Sequence, residues 1–268
     1  MKLPTALTIA GSDSGGGAGI QADLRTFAFH LVHGTSAITC ITAQNTLGVA
    51  RVDALPPEAV QAQIKAVVGD IGVQGIKTGM LLNTGIIEAV AEALAALSSP
   101  GIVVDPVMVS RTGAQLIDDA AIASLSSHLL PLATLITPNR YEAQILSGLE
   151  ITNLDEMQTA ARKIYDLRGR TVLVKGGGMT GDCRGVDVWF DGDRLEILQT
   201  EIVDTPNTHG TGCTLSAAIA ANLALGQDVL SAAIAAKQYV TTALNHALDL
   251  GQGTGPIGHF FPLMTKDK

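Results

Sequence analysis

The sequence predicts an α/β protein built on a mostly parallel sheet with helices on both faces. Three observations carry this expectation. Short β-rich runs alternate with segments of helical period almost from end to end. The runs are mostly apolar and end in Gly, Pro, Asn or Gln, as strands buried on both faces do. One late segment leaves the alternation and reads as an antiparallel hairpin at one edge.

The predicted strands are, in order, ALTIAGS, SAITCITAQ, GIKTGML, IVVDPV, LITPN and VLVKGG. Between the second and third, Pro56 and Pro57 suit a first helical turn, and Val60, Ile64, Val67, Val68 and Ile71 recur at helical spacing. Ile86, Ile87, Val90, Leu94 and Leu97 repeat that period in the next interval. Strand–helix alternation of this kind requires right-handed crossovers and hence helices on both sides of the sheet. The hairpin is VDVWFDGDRLEIL, with Asp191-Gly192 as its turn.

Composition narrows the function classes. A chain of 268 residues, 47% hydrophobic and 16% charged, can bury a large core, and residues 1–268 are expected to form a single domain. A net charge of -8 argues against a broad nucleic-acid surface, but not against a compact anion held by local groups. Cys40, Cys183 and Cys213 are odd in number and form no C-x-x-C pair, so neither a disulfide framework nor a zinc site is suggested. A reducing cytoplasm fits this usage. No apolar run reads as a signal peptide or a membrane span, so no membrane partner is expected.

Ligands of open α/β sheets bind beyond the carboxyl ends of the strands. There the sequence places GSDSGGGAGIQAD, Gln44 and Asn45, Gly79 and Met80, Asp105, Asn139 and Glu142, and Lys175 with Gly176, Gly177 and Gly178. Gly17 to Ala22 fits a loose dinucleotide fingerprint, yet the acidic residue expected at the next strand end is replaced by Gln44. No G-x-x-x-x-G-K-[ST] occurs. The stronger anion site is HGTGCTLSAAIAANLALG: Gly210 and Gly212 free backbone amides at the start of a helix marked by Leu215, Ala218, Ile219 and Leu223. Developing charge on a transferred phosphoryl group would be stabilised there. Several of these residues also have plain structural readings. Asn139 and Glu142 are spaced as a capping box, Asp105 before Pro106 could cap a turn, Met80 could be core, and Lys237 could snorkel from its apolar helix. His209, four residues before Cys213, invites a Cys-His hydrolase reading, but that spacing is no general signature.

Taken together and in this order, AGSDSGGGAGIQADLRTF, TAQNTLGV, KTGML, VVDPVM, ITPNRYEA, VLVKGGG and NTHGTGCTLSAAIAA resemble the hydroxymethylpyrimidine and hydroxymethylpyrimidine-phosphate kinases of thiamine biosynthesis, in the ribokinase superfamily. The resemblance covers roughly residues 5 to 260. It implies a ribokinase-like three-layer α/β/α sandwich, ATP and Mg2+ as cofactors, and phosphorylation of 4-amino-5-hydroxymethyl-2-methylpyrimidine and then of its monophosphate. It further implies a homodimer. Carried over, Gly11, Asp23, Gln44, Met80 and Val107 would line the pyrimidine site. Asp105, Asn139 and Glu142 would organise metal and phosphate, and Lys175 would contact the ATP phosphates. Asn139 and Lys237 would lie toward the nucleotide, and Gly210, Thr211 and Gly212 would form the anion hole.

Many ribokinase relatives carry an Asp general base at the end of the G-x-G turn, where this chain has Cys213. An alcohol acceptor gains from a base, whereas a phosphate monoester is already ionised and needs none. A carboxylate would repel the phosphorylated acceptor; a thiol need not. Cys213 is therefore expected to be a modest base for the first step that tolerates the second. Two other functions compete: a kinase for pyridoxine or pyridoxal, and a non-catalytic pyrimidine or nucleotide sensor. Residues 110–118 are expected to act as a lid that excludes water.

Overall fold

A computed structural model describes residues 3–98, 101–109, 115–168 and 170–264. Among them, one sheet contains β1 (Thr5–Asp13), β2 (His33–Asn45), β3 (Gly48–Ala54), β4 (Gly75–Thr78), β5 (Gly101–Val104), β6 (Leu135–Ile136), β7 (Thr171–Val174), β8 (Asp187–Phe190) and β9 (Leu195–Leu198). Their order across it is β3-β2-β1-β4-β5-β6-β7-β8-β9. The helices are α1 (Gly19–Phe29), α2 (Pro57–Asp70), α3 (Thr84–Ala95), α4 (Asp119–Ser124), α5 (Arg140–Ser147), α6 (Leu154–Arg168), α7 (Thr211–Ala224), α8 (Val229–Asn245) and the single turn α9 (Phe261–Met264). Among the described residues, no helix is long and apolar enough to cross a membrane.

Strands β2, β1, β4, β5, β6 and β7 are parallel, and alternate side chains divide the core into two layers. Leu7, Ile9, Ile76, Val104, Ile136 and Val172 face α2 to α6. Ala6, Val103, Leu135 and Leu173 face α7 and α8, with Phe27 of α1 beside them. Helix α7 lies unusually close to the sheet: a Cβ at Gly75 would collide with the carbonyl oxygen of Ala220, and one at Gly101 would stand 3.0 Å from Leu223. Alanines at 217, 218, 220 and 221, all fully buried, complete that close contact.

The β8–β9 hairpin forms at one edge as expected, its turn held by Asp191 Oδ1, which accepts from the amides of Asp193 and Arg194. At the opposite edge, β3 pairs antiparallel with β2, a strand that the hydrophobic pattern does not announce. Every residue of β3 is exposed, so it has no buried face and no alternation to read. Chain growth across the sheet reverses between β1 and β4, which pair directly. The crevice at such a reversal is where the ends of β1 and β4 meet the first turns of α1 and α7.

Candidate active site

Gly210 begins the site. Its φ of 86° lies in the left-handed region, and a Cβ there would strike the carbonyl oxygen of Gly17, so the turn before α7 is pressed against the Gly-rich loop after β1. With Gly210 as N-cap and no side-chain cap, no hydrogen bond among the described residues takes up the amides of Gly212 and Cys213. Helix α1 starts in the same crevice, also without a side-chain cap, and the Gly19 amide donates toward the Cys213 sulfur. Two helix N-termini therefore converge on one point, a favourable place for an anion.

Asp13 fastens the two glycine turns together. Its carboxylate accepts from the amides of Gly15 (2.8 Å), Gly17 (3.1 Å) and Ala18 (2.9 Å), and bonds His209 Nε2 at 2.9 Å. Burial alone would push this carboxyl up, but the His209 hydrogen bond and the loop amides outweigh it and hold the group below the ordinary aspartate range. His209 also lies 3.3 Å from Gln44 Nε2. The imidazole is thus oriented by Asp13 rather than paired with the Cys213 thiol, which removes the basis for a Cys-His hydrolase.

On the other side, Lys175 Nζ donates to Asp105 Oδ1 at 2.7 Å, and Gly212 opens directly on both, since a Cβ there would stand 3.5 Å from Lys175 Nζ and 3.9 Å from Asp105 Oδ2. Ser216 of α7 donates to Asp105 Oδ2 at 3.3 Å. Asn139 and Glu142 form the full capping box of α5, and the second Glu142 oxygen accepts from the Met108 amide at 3.2 Å. Burial raises the Glu142 carboxyl to about 7; Lys175 opposes this and the charge of Asp105 adds to it. Burial pulls the Lys175 ammonium down, yet Asp105 and Glu142 leave it raised. Lys237 does not snorkel: it is buried and donates to the Gly185 carbonyl (2.6 Å) and Asp187 Oδ2 (2.7 Å), while Asp187 Oδ1 accepts from the Gly176 amide. It braces the glycine turn that follows Lys175.

The residues expected at the pyrimidine site are placed as follows. Gly11 faces Cys40 and Met80, and Met80 is tied to β2 by Thr39, which donates to its carbonyl at 2.7 Å. Gln44 stands beside His209, and Val107 lies two residues beyond Asp105. Asp23, also expected there, is fully buried: its side chain is 0% exposed, accepting from Lys77 Nζ at 2.8 Å and Thr8 Oγ1 at 2.6 Å. Of the expected lid, residues 110–114 lie outside the described residues, and the flanking Val109 and Gln115 form an antiparallel bridge.

Among the described residues, no three His, Cys, Asp or Glu side chains form a ready metal cage. Asp105, paired with Lys175, and Glu142, whose charge also acts on Lys175, are nevertheless two buried carboxylates, a donor set that suits a magnesium ion carried mainly on nucleotide phosphates and water.

The sheet order, the reversal crevice and the uncapped glycine turn define a kinase of the ribokinase-like fold. A family model described as phosphomethylpyrimidine kinase matches residues 13–258, and the chain belongs to that family. It is 65% identical to a hydroxymethylpyrimidine/phosphomethylpyrimidine kinase of Synechococcus elongatus, over 98% of this chain and 100% of the relative. Among solved structures, it is similar to the phosphomethylpyrimidine kinase of Clostridium difficile, with a TM-score of 0.80 and 42% identity over 91% of this chain and 100% of that one. It also resembles the Bacillus subtilis pyridoxal kinase solved as an ADP complex, with a TM-score of 0.91 and 40% identity over 98% of this chain and 100% of that one.

Sequence reasoning passed over Asp13, His209 as its partner, and Lys77. The available signal was a charge inside an otherwise apolar strand, at the end of β1 and in the middle of β4. The Asp13 hub generates a measurable consequence. Asp13→Asn is expected to lower stability by about 2 kcal/mol at neutral pH, because one carboxamide cannot replace a charged acceptor of this many donors. A depressed folded pKa contributes stability above the unfolded value of about 3.9 and loses it as pH falls through the folded value. Urea titrations should therefore show the gap between wild type and variant closing below about pH 4. A gap that is constant with pH would show that Asp13 acts by packing alone.

Proposed function

We propose that residues 1–268 form one kinase domain that transfers the γ-phosphoryl group of ATP to 4-amino-5-hydroxymethyl-2-methylpyrimidine, and then transfers a second to the monophosphate. The observation that carries this reading is the convergence of the α1 and α7 N-termini on Cys213, flanked by Lys175 and Asp105. In the first step the substrate hydroxyl oxygen bonds the γ-phosphorus, the bond from phosphorus to the β,γ-bridging oxygen breaks, and ADP leaves. The Gly212 and Cys213 amides and Lys175 face the negative charge that spreads over the transferring group. Cys213 receives the hydroxyl proton as the thiolate, having first released its own proton to solvent, and becomes the neutral thiol. In the second step a phosphate oxygen is the acceptor and there is no proton to remove.

Burial holds the Cys213 thiol above its ordinary range, with Lys77 and the Gly19 amide opposing and Asp23 and Asp105 adding to the rise. A neutral thiol leaves room for an anionic acceptor. Asp105 and Glu142, with Asn139 beside them, would hold the magnesium, which when bound neutralises phosphate charge. Gly11, Met80, Val107 and Gln44 would enclose the pyrimidine ring, and Lys237 would steady the nucleotide side through Asp187 and Gly176. The similarity to a pyridoxal kinase favours a second substrate class, since both substrates are flat heteroaromatic rings bearing a hydroxymethyl group.

The test is ATP consumption with free hydroxymethylpyrimidine, its monophosphate and pyridoxal in parallel, with products followed by mass. A diphosphate from the first two is expected. Turnover of pyridoxal alone would move the function to vitamin B6, and no turnover would favour a binding protein.

The free cysteines fit a cytoplasmic enzyme. The exposed Ile41, Leu47, Val49 and Val52 on the β2–β3 ribbon support a homodimer, since an apolar edge strand of this kind calls for cover. Sedimentation is expected to give about twice the 27.6 kDa chain mass; a single-chain mass would rule the pairing out.

A further inference from the structure

Lys77 is a charged group near the cleft that makes no contact assigned above to substrate, nucleotide or metal. Its side chain is 0% exposed, it occupies the third position of a four-residue strand, and it forms an ion pair with Asp23, itself 0% exposed. Such a pair is expensive: each ion forfeits its hydration, and apolar residues of similar volume commonly serve a core as well. Among the described residues Lys77 Nζ donates to a single acceptor, Asp23 Oδ2, and the other oxygen, Asp23 Oδ1, is buried without a partner. This is poor construction for stability alone.

The sheet register shows where the ammonium stands. Lys77 pairs with Thr8 of β1 and Val103 of β5, and Val103 belongs to the core layer under α7. Gly75, two residues earlier on the same face, touches Ala220 of α7. Helix α7 runs back from the strand ends, so Ala220 lies two turns after Cys213, and Lys77 lies between that contact and the first turn of α7. The ammonium is also packed under Gly79 at the strand end. Burial pulls Lys77 down, but Asp23 and Asp105 outweigh it and hold the ammonium charged. Around Cys213 the charged and titratable groups are Lys77, Asp23 on α1, Asp105 beyond β5 and Lys175 beyond β7, with Glu142 on α5 behind Lys175 and the Asp13–His209 pair in the loop.

We propose that Lys77, fixed from behind by Asp23 and Thr8, is a positioning residue for phosphoryl transfer whose permanent charge makes the Cys213 thiolate accessible. The proposal deepens the kinase reading and rests on it for the role of Cys213. Without Lys77, the low-dielectric pocket and two carboxylates would leave the thiol with no buried cation on the α1 side. With it, the resting thiol can release its proton to solvent ahead of the first step, take the hydroxyl proton as the thiolate, and be neutral again when the anionic second acceptor binds.

The test reads the thiol directly, in substrate-free enzyme, as the rate of iodoacetamide alkylation of the peptide containing Cys213 against pH. Lys77→Met alone strands Asp23 and can prevent folding, so the informative pair is Asp23→Asn against Lys77→Met/Asp23→Asn. Asp23→Asn is expected to alkylate faster than wild type, and adding Lys77→Met to slow that variant at least tenfold at neutral pH, with Lys77→Arg close to wild type. A merely structural role would slow or loosen both variants in the same direction. Equal rates in the single and the double variant, both folded, would overturn the proposal. A kinase assay on wild type that failed to show pyrimidine phosphorylation would sink the kinase reading while leaving this charge coupling intact.

Discussion

The cleft exists because α7 can lie almost on the backbone of the sheet. Gly75 and Gly101 present no side chain where Ala220 and Leu223 press in, and the alanines of α7 add none in return. That contact sets the depth of the helix, and its first turn arrives at the carboxyl ends of β1 and β4 with its amides pointing into the crevice. A bulkier residue at either glycine would lift the whole helix. The Gly210–Gly17 contact, the amides beside Cys213 and the reach of Ser216 to Asp105 all depend on the same seating.

Electrostatics follow from that placement. The crevice gathers Asp13, Asp23 and Asp105 with Lys77, Lys175 and His209, and nearly every charge has a named partner before any ligand arrives. What stays uncompensated is the partial positive charge of two helix starts. A site of this kind favours an incoming phosphate without carrying a free lysine that would bind any anion. The overall charge of -8 therefore does not oppose nucleotide binding, which is decided within a few ångströms of α1 and α7.

Much of this was legible in the residues. Parallel strands buried on both faces announce themselves as apolar runs, and the Gly210 to Cys213 turn before an alanine-rich helix is readable as an anion site. The β3 ribbon was not, because all its residues are exposed and its order comes from the β2 ladder. Asn139 and Glu142 were assigned to metal and also read as a capping box; the box is formed, and both carboxylate oxygens of Glu142 are engaged by backbone amides. The ion pair of Asp23 was not legible, since nothing in a linear pattern reveals that a lysine 54 positions later, on β4, faces this residue of α1. This buried pair is set by how α1 seats on the sheet, which neither segment encodes alone.

The central claim is that a thiol at position 213 lets one cleft serve both an uncharged alcohol and an anionic phosphate. It is tested most directly by the ratio of the two phosphorylation rates in Cys213→Asp. A fixed carboxylate beside the incoming monophosphate is expected to lower the second rate relative to the first by at least about tenfold, equivalent to a repulsion of roughly 1.4 kcal/mol. A second step as fast as that of the wild type would contradict the claim and leave Cys213 as a packing residue.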